Sequence, residues 1–211
     1  MNIINKTYNA KNTILEMLSG RGFNTKKYEN FTLNEIDAMY KEMDKKLTTE
    51  SSPLDFDCER AKNKCYIKFV LFTKLRVANT KTLIENMIDE YVTEGDTIIF
   101  VVKDKINNIE SYENLLGTYL EQNKIMIQIF WIDTLLINIT KHELVPKMRI
   151  LNEEEKQDIF HKANISNFTQ MPLILKTDPV AKFYGLIRGD LVEIIRPSPT
   201  GGVYKNYRYC Q

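Results

Sequence analysis

Apolar residues recur with two periods, and the changes between them divide the chain into elements. Ile14, Leu15 and Leu18 share one face of a helix that Gly20-Arg21-Gly22 ends. Thr32 and Glu35 form a capping box for a second helix, which places Ile36, Met39, Tyr40, Met43 and Leu47 on one side. Thr48 to Asp57, with Ser51-Ser52-Pro53, is polar and reads as a loop. From Cys65 to Phe72 the period falls to two, with Ile67, Phe69 and Leu71 alternating against Lys68, which predicts a strand. Leu83, Ile84, Met87, Ile88 and Tyr91 return to helical spacing, closed by Gly95-Asp96. Thr97 to Val102 is an almost unbroken β-branched run, the pattern of a strand buried on both faces. Ser111 then opens a helix carrying Leu115, Leu116, Tyr119 and Leu120, and Ile125 to Phe130 is the next strand. Strand–helix–strand–helix–strand at these lengths predicts an α/β domain with parallel, right-handed crossovers.

After Pro146 the pattern changes. A short strand precedes a helix that starts at Asn152, with Glu155 as its box partner. Asp178 caps a further helix with Pro179 in its first position, and Gly185 suits its end. Arg188-Gly189-Asp190 is a turn into a strand, Leu191 to Ile195. Pro197, Pro199, Gly201 and Gly202 are expected to break it, and Val203 to Tyr209 to return as its hairpin partner. The boundary is placed near Leu144 to Pro146, giving an N-terminal domain of residues 1–145 and a small α+β domain of residues 146–211.

Composition adds exclusions. Of 211 residues, 43% are hydrophobic and 27% charged, the balance of a soluble globular protein with room for two cores. No apolar run approaches the ~20 residues of a membrane helix, and the N-terminus lacks a secretory profile. Three cysteines, Cys58, Cys65 and Cys210, form no Cys-x-x-Cys and read as reduced thiols, with no metal. Net charge is +1, and residues 1–145 carry 19 basic against 21 acidic side chains, so strong DNA binding by the isolated chain is not expected.

No enzymatic motif is complete. Phosphate-binding glycine loops and a Gly-x-Ser-x-Gly elbow are missing, and no cofactor is expected. His142 opens His-Glu-Leu-Val-Pro, but Pro146 stands where a zinc-binding helix needs its second histidine, so His142 reads as a hinge residue with a backbone hydrogen bond. His161 reads as solvated, and Trp131 as core at a strand end. Tyr204, Tyr207 and Tyr209, interleaved with Lys205 and Arg208, suit either base stacking or a protein interface.

Two blocks resemble one family. Asp178-Pro179-Val180-Ala181, the spacing of Gly185 and Arg188-Gly189, Val192 to Arg196, Pro197-Ser198, and Tyr204 with Tyr207-Arg208 resemble the C-terminal assembly domain of the fifth subunit shared by eukaryotic nuclear RNA polymerases, which has a small archaeal counterpart. Leu136 to Pro146 is similar to that family's hinge. The resemblance implies a non-catalytic polymerase subunit with a restriction-endonuclease-like, three-layer jaw and a smaller assembly domain. It implies an assembly interface at Pro146, Asp178, Pro179, Arg188, Arg196, Tyr204, Tyr207 and Arg208, docked on the largest subunit, with other polymerase subunits nearby. It also implies downstream duplex DNA near Lys103, Lys105, Asn107 and Asn108, and neither a membrane nor a small-molecule substrate.

A nuclease of that topology needs an Asp on one strand and acid-x-Lys on the next to hold Mg²⁺. Asp55 and Asp57 supply acids, but the next strand reads Tyr66-Ile67-Lys68, so no nuclease activity is expected. Contact positions depart from the family. Lys147-Met148 replaces a histidine after the hinge proline, Pro199 to Val203 replaces Glu-Thr-Ala-Gly-Arg, and Asn107 to Tyr112 replaces the jaw's Thr-Pro-Ser-Ala loop. Such drift fits a divergent polymerase, for instance one encoded by a large DNA virus. The expected location is intracellular: the nucleus for a cellular copy, host cytoplasm and virion for a viral one. The rival reading is a free-standing DNA-binding accessory protein of transcription.

Overall fold

A computed structural model describes residues 2–46, 52–106, 109–198 and 201–211. The chain divides into two compact units, Met1–Ile137 and Asn138–Gln211. This division falls earlier than Leu144 to Pro146. The 3-10 turn Ile139–Lys141, capped by Asn138 through Thr140 N at 2.9 Å, packs against a helix of the second unit, so residues 138–145 belong with it.

In the first unit, helices α1 (Ile3–Gly20) and α2 (Leu33–Lys46) precede a hairpin of β1 (Phe56–Arg60) and β2 (Asn63–Val70). Helix α3 (Val77–Glu90), strand β3 (Thr97–Val102), helix α4 (Ile109–Asn123) and strand β4 (Met126–Trp131) follow. The sheet runs β1-β2-β3-β4, antiparallel at its first pair and parallel thereafter. The parallel strands lie where the hydrophobic periods put them, and all six residues of β3 are buried. Ile98, Phe100, Val102, Ile127 and Ile129 form one face under Ile84 and Met87 of α3 and Tyr112 of α4. The opposite face meets the end of α1, where Arg21 Nη2 donates to Gln128 Oε1 at 2.8 Å. Lys6 pairs with Asp133 at 2.6 Å further along α1.

The Thr32–Glu35 box forms, with Thr32 N donating to Glu35 Oε2 at 2.7 Å. Asp96 is buried and accepts from Lys64 N at 2.7 Å and Thr93 N at 2.9 Å, which ties the start of β2 to the turn before β3. Gly95 there has φ 90°, and a Cβ would stand 3.1 Å from Asn63 Nδ2, so that turn requires glycine.

Strand β1 corrects the sequence reading, which ran a loop through Asp57. Phe56 and Cys58 face the core while Asp57, Glu59 and Arg60 face outward; a five-residue edge strand with three charged residues carries too weak an alternation to stand out. Trp131 is another correction. Its indole is half-buried, and Nε1 donates to Lys103 O at 2.8 Å, because a ring with a polar N–H keeps a partner at the sheet's end. Leu47 and Ser51 lie outside the described residues.

The second unit holds β5 (Lys147–Ile150), α5 (Glu153–Lys162), β6 (Leu173–Ile174), α6 (Pro179–Tyr184), β7 (Leu191–Ser198) and β8 (Gly202–Cys210). Its sheet order is β5-β7-β8-β6. One face, with Val192 and Ile194, packs under Ala181 and Tyr184 of α6. The other, with Leu191, Tyr207 and Tyr209, packs under Ile159 and Phe160 of α5. The Asn152–Glu155 box closes at 2.8 and 3.0 Å. Asp178 Oδ1 accepts from Val180 N at 2.8 Å, and Gly185 ends α6 at φ 73°.

Strand β7 runs through Pro197 to Ser198, past the expected break. Leu151 N donates to Leu191 O, so odd-numbered residues of β7 turn their backbone groups toward β5. Strand β5 ends opposite Ile195, and at Pro197 the ladder therefore loses no bond. Gly202 likewise begins β8 opposite Ser198 instead of breaking the sheet; Pro199 and Thr200 lie outside the described residues. Among the described residues no helix is long and apolar enough to cross a membrane.

Candidate docking site

The β7–β8 hairpin decides which side chains share a surface. Its register sets Arg196 opposite Tyr204 and Val192 opposite Arg208, so Arg196, Tyr204 and Arg208 lie on one face of the sheet. Asp178 and Pro179 start the helix that packs on that face. Tyr207 lies on the opposite face, beside Tyr209, which stacks on Phe168 with centroids 4.8 Å apart. The three tyrosines therefore do not form one stripe. Tyr207 and Tyr209 support α5, while Tyr204 is 58% exposed. Pro146 is half-buried just ahead of β5.

At the centre of the opposite face lies Glu193, a buried carboxylate. Lys205 Nζ donates to its Oε1 at 3.0 Å, Tyr207 OH at 3.3 Å, and Arg149 Nε to its Oε2 at 3.4 Å. The Lys205 ammonium, with Arg149 behind it, holds the Glu193 carboxyl below the ordinary glutamate range. Arg149 also reaches Glu155 of the capping box at 2.6 Å, joining β5, β7, β8 and α5. Sequence reasoning passed over this acid as a hub. The readable signal was hairpin spacing, which puts Tyr207 across from Glu193 and Lys205 across from its neighbour Ile195.

Arg188 and Arg196 are exposed and make no ion pair among the described residues. Asp190 does not hold Arg188; its Oδ2 accepts from Ile187 N at 2.8 Å and closes the turn, with Gly189 at φ 104°. Burial raises the Asp190 carboxyl above its usual range despite that bond. Arg208 is half-buried and reaches Leu173 O at 3.5 Å, with its Nε unbonded.

In the first unit Lys103 and Lys105 are exposed after β3. Lys105 lines a cleft of about 280 Å³ with Lys74, Arg76, Asp104 and Tyr112, at the carboxyl ends of β2 and β3. Asn107 and Asn108 lie outside the described residues.

The acids of the nuclease test are occupied otherwise. Asp55 Oδ1 accepts from Phe69 N at 2.8 Å, its Oδ2 from Ser52 N at 2.9 Å, and Lys68 Nζ stands 3.5 Å away. Burial nevertheless raises its carboxyl above the usual range. Among the described residues no three His, Cys, Asp or Glu side chains cluster to hold a metal ion. Cys58 and Cys65 face each other across β1–β2 as free, buried thiols, which burial pushes up to about 11 and about 12. His142 Nδ1 accepts from Leu144 N at 3.2 Å, the backbone bond expected of it, and His161 is exposed.

The C-terminal unit coincides with a family profile. "RNA polymerase Rpb5, C-terminal domain" matches residues 137–210. The likeness extends beyond that unit. DNA-directed RNA polymerases I, II, and III subunit rpabc1 of Dictyostelium discoideum is 31% identical over 210 residues, spanning the whole of both chains. The chain belongs to the Rpb5 family of RNA polymerase subunits. The corresponding Caenorhabditis briggsae subunit is 28% identical over 96% of this chain and 94% of its own. In the Caenorhabditis elegans subunit identity reaches 44%, over 85 residues and 40% of each chain. Membership in the Rpb5 family makes this chain a structural component of a polymerase and not itself an enzyme.

Proposed function

We propose that this subunit docks on the largest subunit of a multisubunit DNA-directed RNA polymerase through its C-terminal unit, while its N-terminal unit supports downstream duplex DNA in the cleft. The observation that carries the docking is the pair Arg188 and Arg196, both exposed and without an ion pair among the described residues, on a unit whose other charges are largely matched. Guanidinium groups left open in this way suit bidentate bonds to carboxylates or carbonyls of a neighbouring chain. Asp178 and Pro179 act by placing α6, and Tyr204 by offering an aromatic beside Arg196.

The DNA role rests on Lys103 and Lys105, joined by Lys74 and Arg76 around the cleft. Four cations at one end of a parallel sheet make a local positive surface on a unit that is otherwise balanced. Restriction-endonuclease-like topology for this jaw is supported by the mixed four-stranded sheet and by Asp55 beside Lys68. A cellular copy would work in the nucleus, and a copy from a large DNA virus in host cytoplasm and virion. Co-expression of the full chain with the largest subunit tests the docking. A binary complex that survives gel filtration at physiological salt is expected; two separate peaks would contradict it.

A further inference from the structure

One long backbone edge of the hairpin has no partner among the described residues. In an antiparallel ladder successive residues turn their N–H and C=O groups alternately to either side. Cys210 N donates to Asp190 O at 2.8 Å, so even-numbered residues of β8 bond toward β7. Odd-numbered ones point outward, as Tyr209 N does in donating to Pro172 O at 2.9 Å. Strand β6 covers that edge only at Tyr209 and Cys210.

Upstream the edge is open. Lys205 turns both backbone groups outward with no backbone partner among the described residues. Val203 N is turned back on Gly201 O at 3.0 Å, and its side chain is 64% exposed. An exposed apolar strand edge is a template for pairing that proteins ordinarily blunt with lysine or proline. Lys205 does not guard this one, because its ammonium is drawn onto Glu193.

We propose that the partner adds a strand to the open edge of β8 between Val203 and Tyr207, and that this strand is an extended acidic segment of a polymerase subunit. The inference rests on the docking reading and gives it a mode. Charge selects the occupant. On one face Tyr204 and Arg208 border the added strand, with Arg196 beyond Tyr204. Arg196 has no ion pair among the described residues, and Arg208 has only a 3.5 Å bond to Leu173 O, so a carboxylate passing there gains partners. A second copy of this chain would bring the same cations against themselves, which disfavours a homodimer.

The test reads amide hydrogen exchange by residue in the full chain, free and co-assembled with the polymerase. The Lys205 amide should slow more than tenfold, while Tyr204 and Asn206, already bonded to β7, change little. Lys205→Pro deletes the outward N–H, whereas Lys205→Met keeps it and removes only the ammonium. Capture of the largest subunit should fall at least tenfold in the first and persist in the second. Should Lys205→Pro also lower the melt, the exchange result decides alone. Unchanged exchange at Lys205 within a normally formed complex overturns strand addition and leaves docking standing. A dimer of the free chain assigns the edge to a second copy and overturns the acidic occupant. Failure of the unaltered chain to form any complex overturns the docking reading, and this inference with it.

Discussion

Arg149 of β5 stands directly opposite Glu193 of β7, with Nε 3.4 Å from Oε2, and this pairing determines which arginines remain open. Glu193 is further bonded by Lys205 and Tyr207, so it has no place for Arg196. Arg188 and Arg196 therefore face solvent, and removing them should cost the free protein little. Arg188→Ala with Arg196→Ala is expected to cost binding about 2–5 kcal/mol if both are buried at the interface. The melt of the free chain should stay within about 0.5 kcal/mol of wild type. Pull-down and thermal melting on the same preparation check both halves; a collapsed melt would make these arginines internal struts.

Glu193 predicts an acid-side dependence. Its folded carboxyl lies below the ordinary value of 4.5, so the stability it supplies is fully present above pH 4.5 and is lost as pH falls below it. Glu193→Gln should lower stability near neutral pH by about 1–3 kcal/mol, as loss of hydrogen bonds to charged groups does. The gap between variant and wild type should narrow as pH drops below 4.5. Urea unfolding near neutral pH and again well below the ordinary glutamate range measures it, and an equal gap at both would contradict the ionic role.

Lys11 predicts the reverse at the alkaline end. It is 3% exposed on α1, its Nζ is 3.5 Å from the Phe31 ring centroid, and burial lowers its ammonium from 10.5 to about 8. A lysine depressed in this way weakens the fold most below pH 8, and the penalty disappears as pH rises from about 8 to 10.5. Lys11→Met should therefore stabilise the chain near neutral pH by about 1–3 kcal/mol, and the advantage should shrink as the pH approaches 10.5. Denaturant midpoints across that range decide it. A variant less stable than wild type near neutral pH would show that the Phe31 interaction outweighs burial.

DNA binding by the isolated chain should be weak and insensitive to sequence, since residues 1–145 carry 19 basic and 21 acidic side chains. Within the assembled polymerase, replacing Lys74, Arg76, Lys103 and Lys105 with alanine should reduce the salt slope of downstream DNA retention by up to about 0.9 for each phosphate no longer neutralised. An unchanged slope would remove this cleft from the DNA path.

Legibility in the sequence followed how strongly each element is determined locally. Strand β3 and the caps at Thr32, Asn152 and Asp178 were readable because their periods and side-chain bonds lie within a few residues. Strand β1 was not, since only Phe56 and Cys58 mark its inward face. The extension of β7 through Pro197 depends on where β5 ends, and β5 lies far earlier in the chain. The same holds for the site. Arg196 and Tyr204 were identified one by one, but their pairing, and the removal of Tyr207 to the other face, required the register.

Purification of the tagged full chain from the cells or virions that make it, followed by native mass spectrometry, tests the central claim most directly. One copy per multisubunit RNA polymerase, with the largest subunit as its neighbour in gentle subcomplexes, is the predicted result. A free 24.8 kDa monomer, with polymerase subunits only in trace amounts, would contradict it.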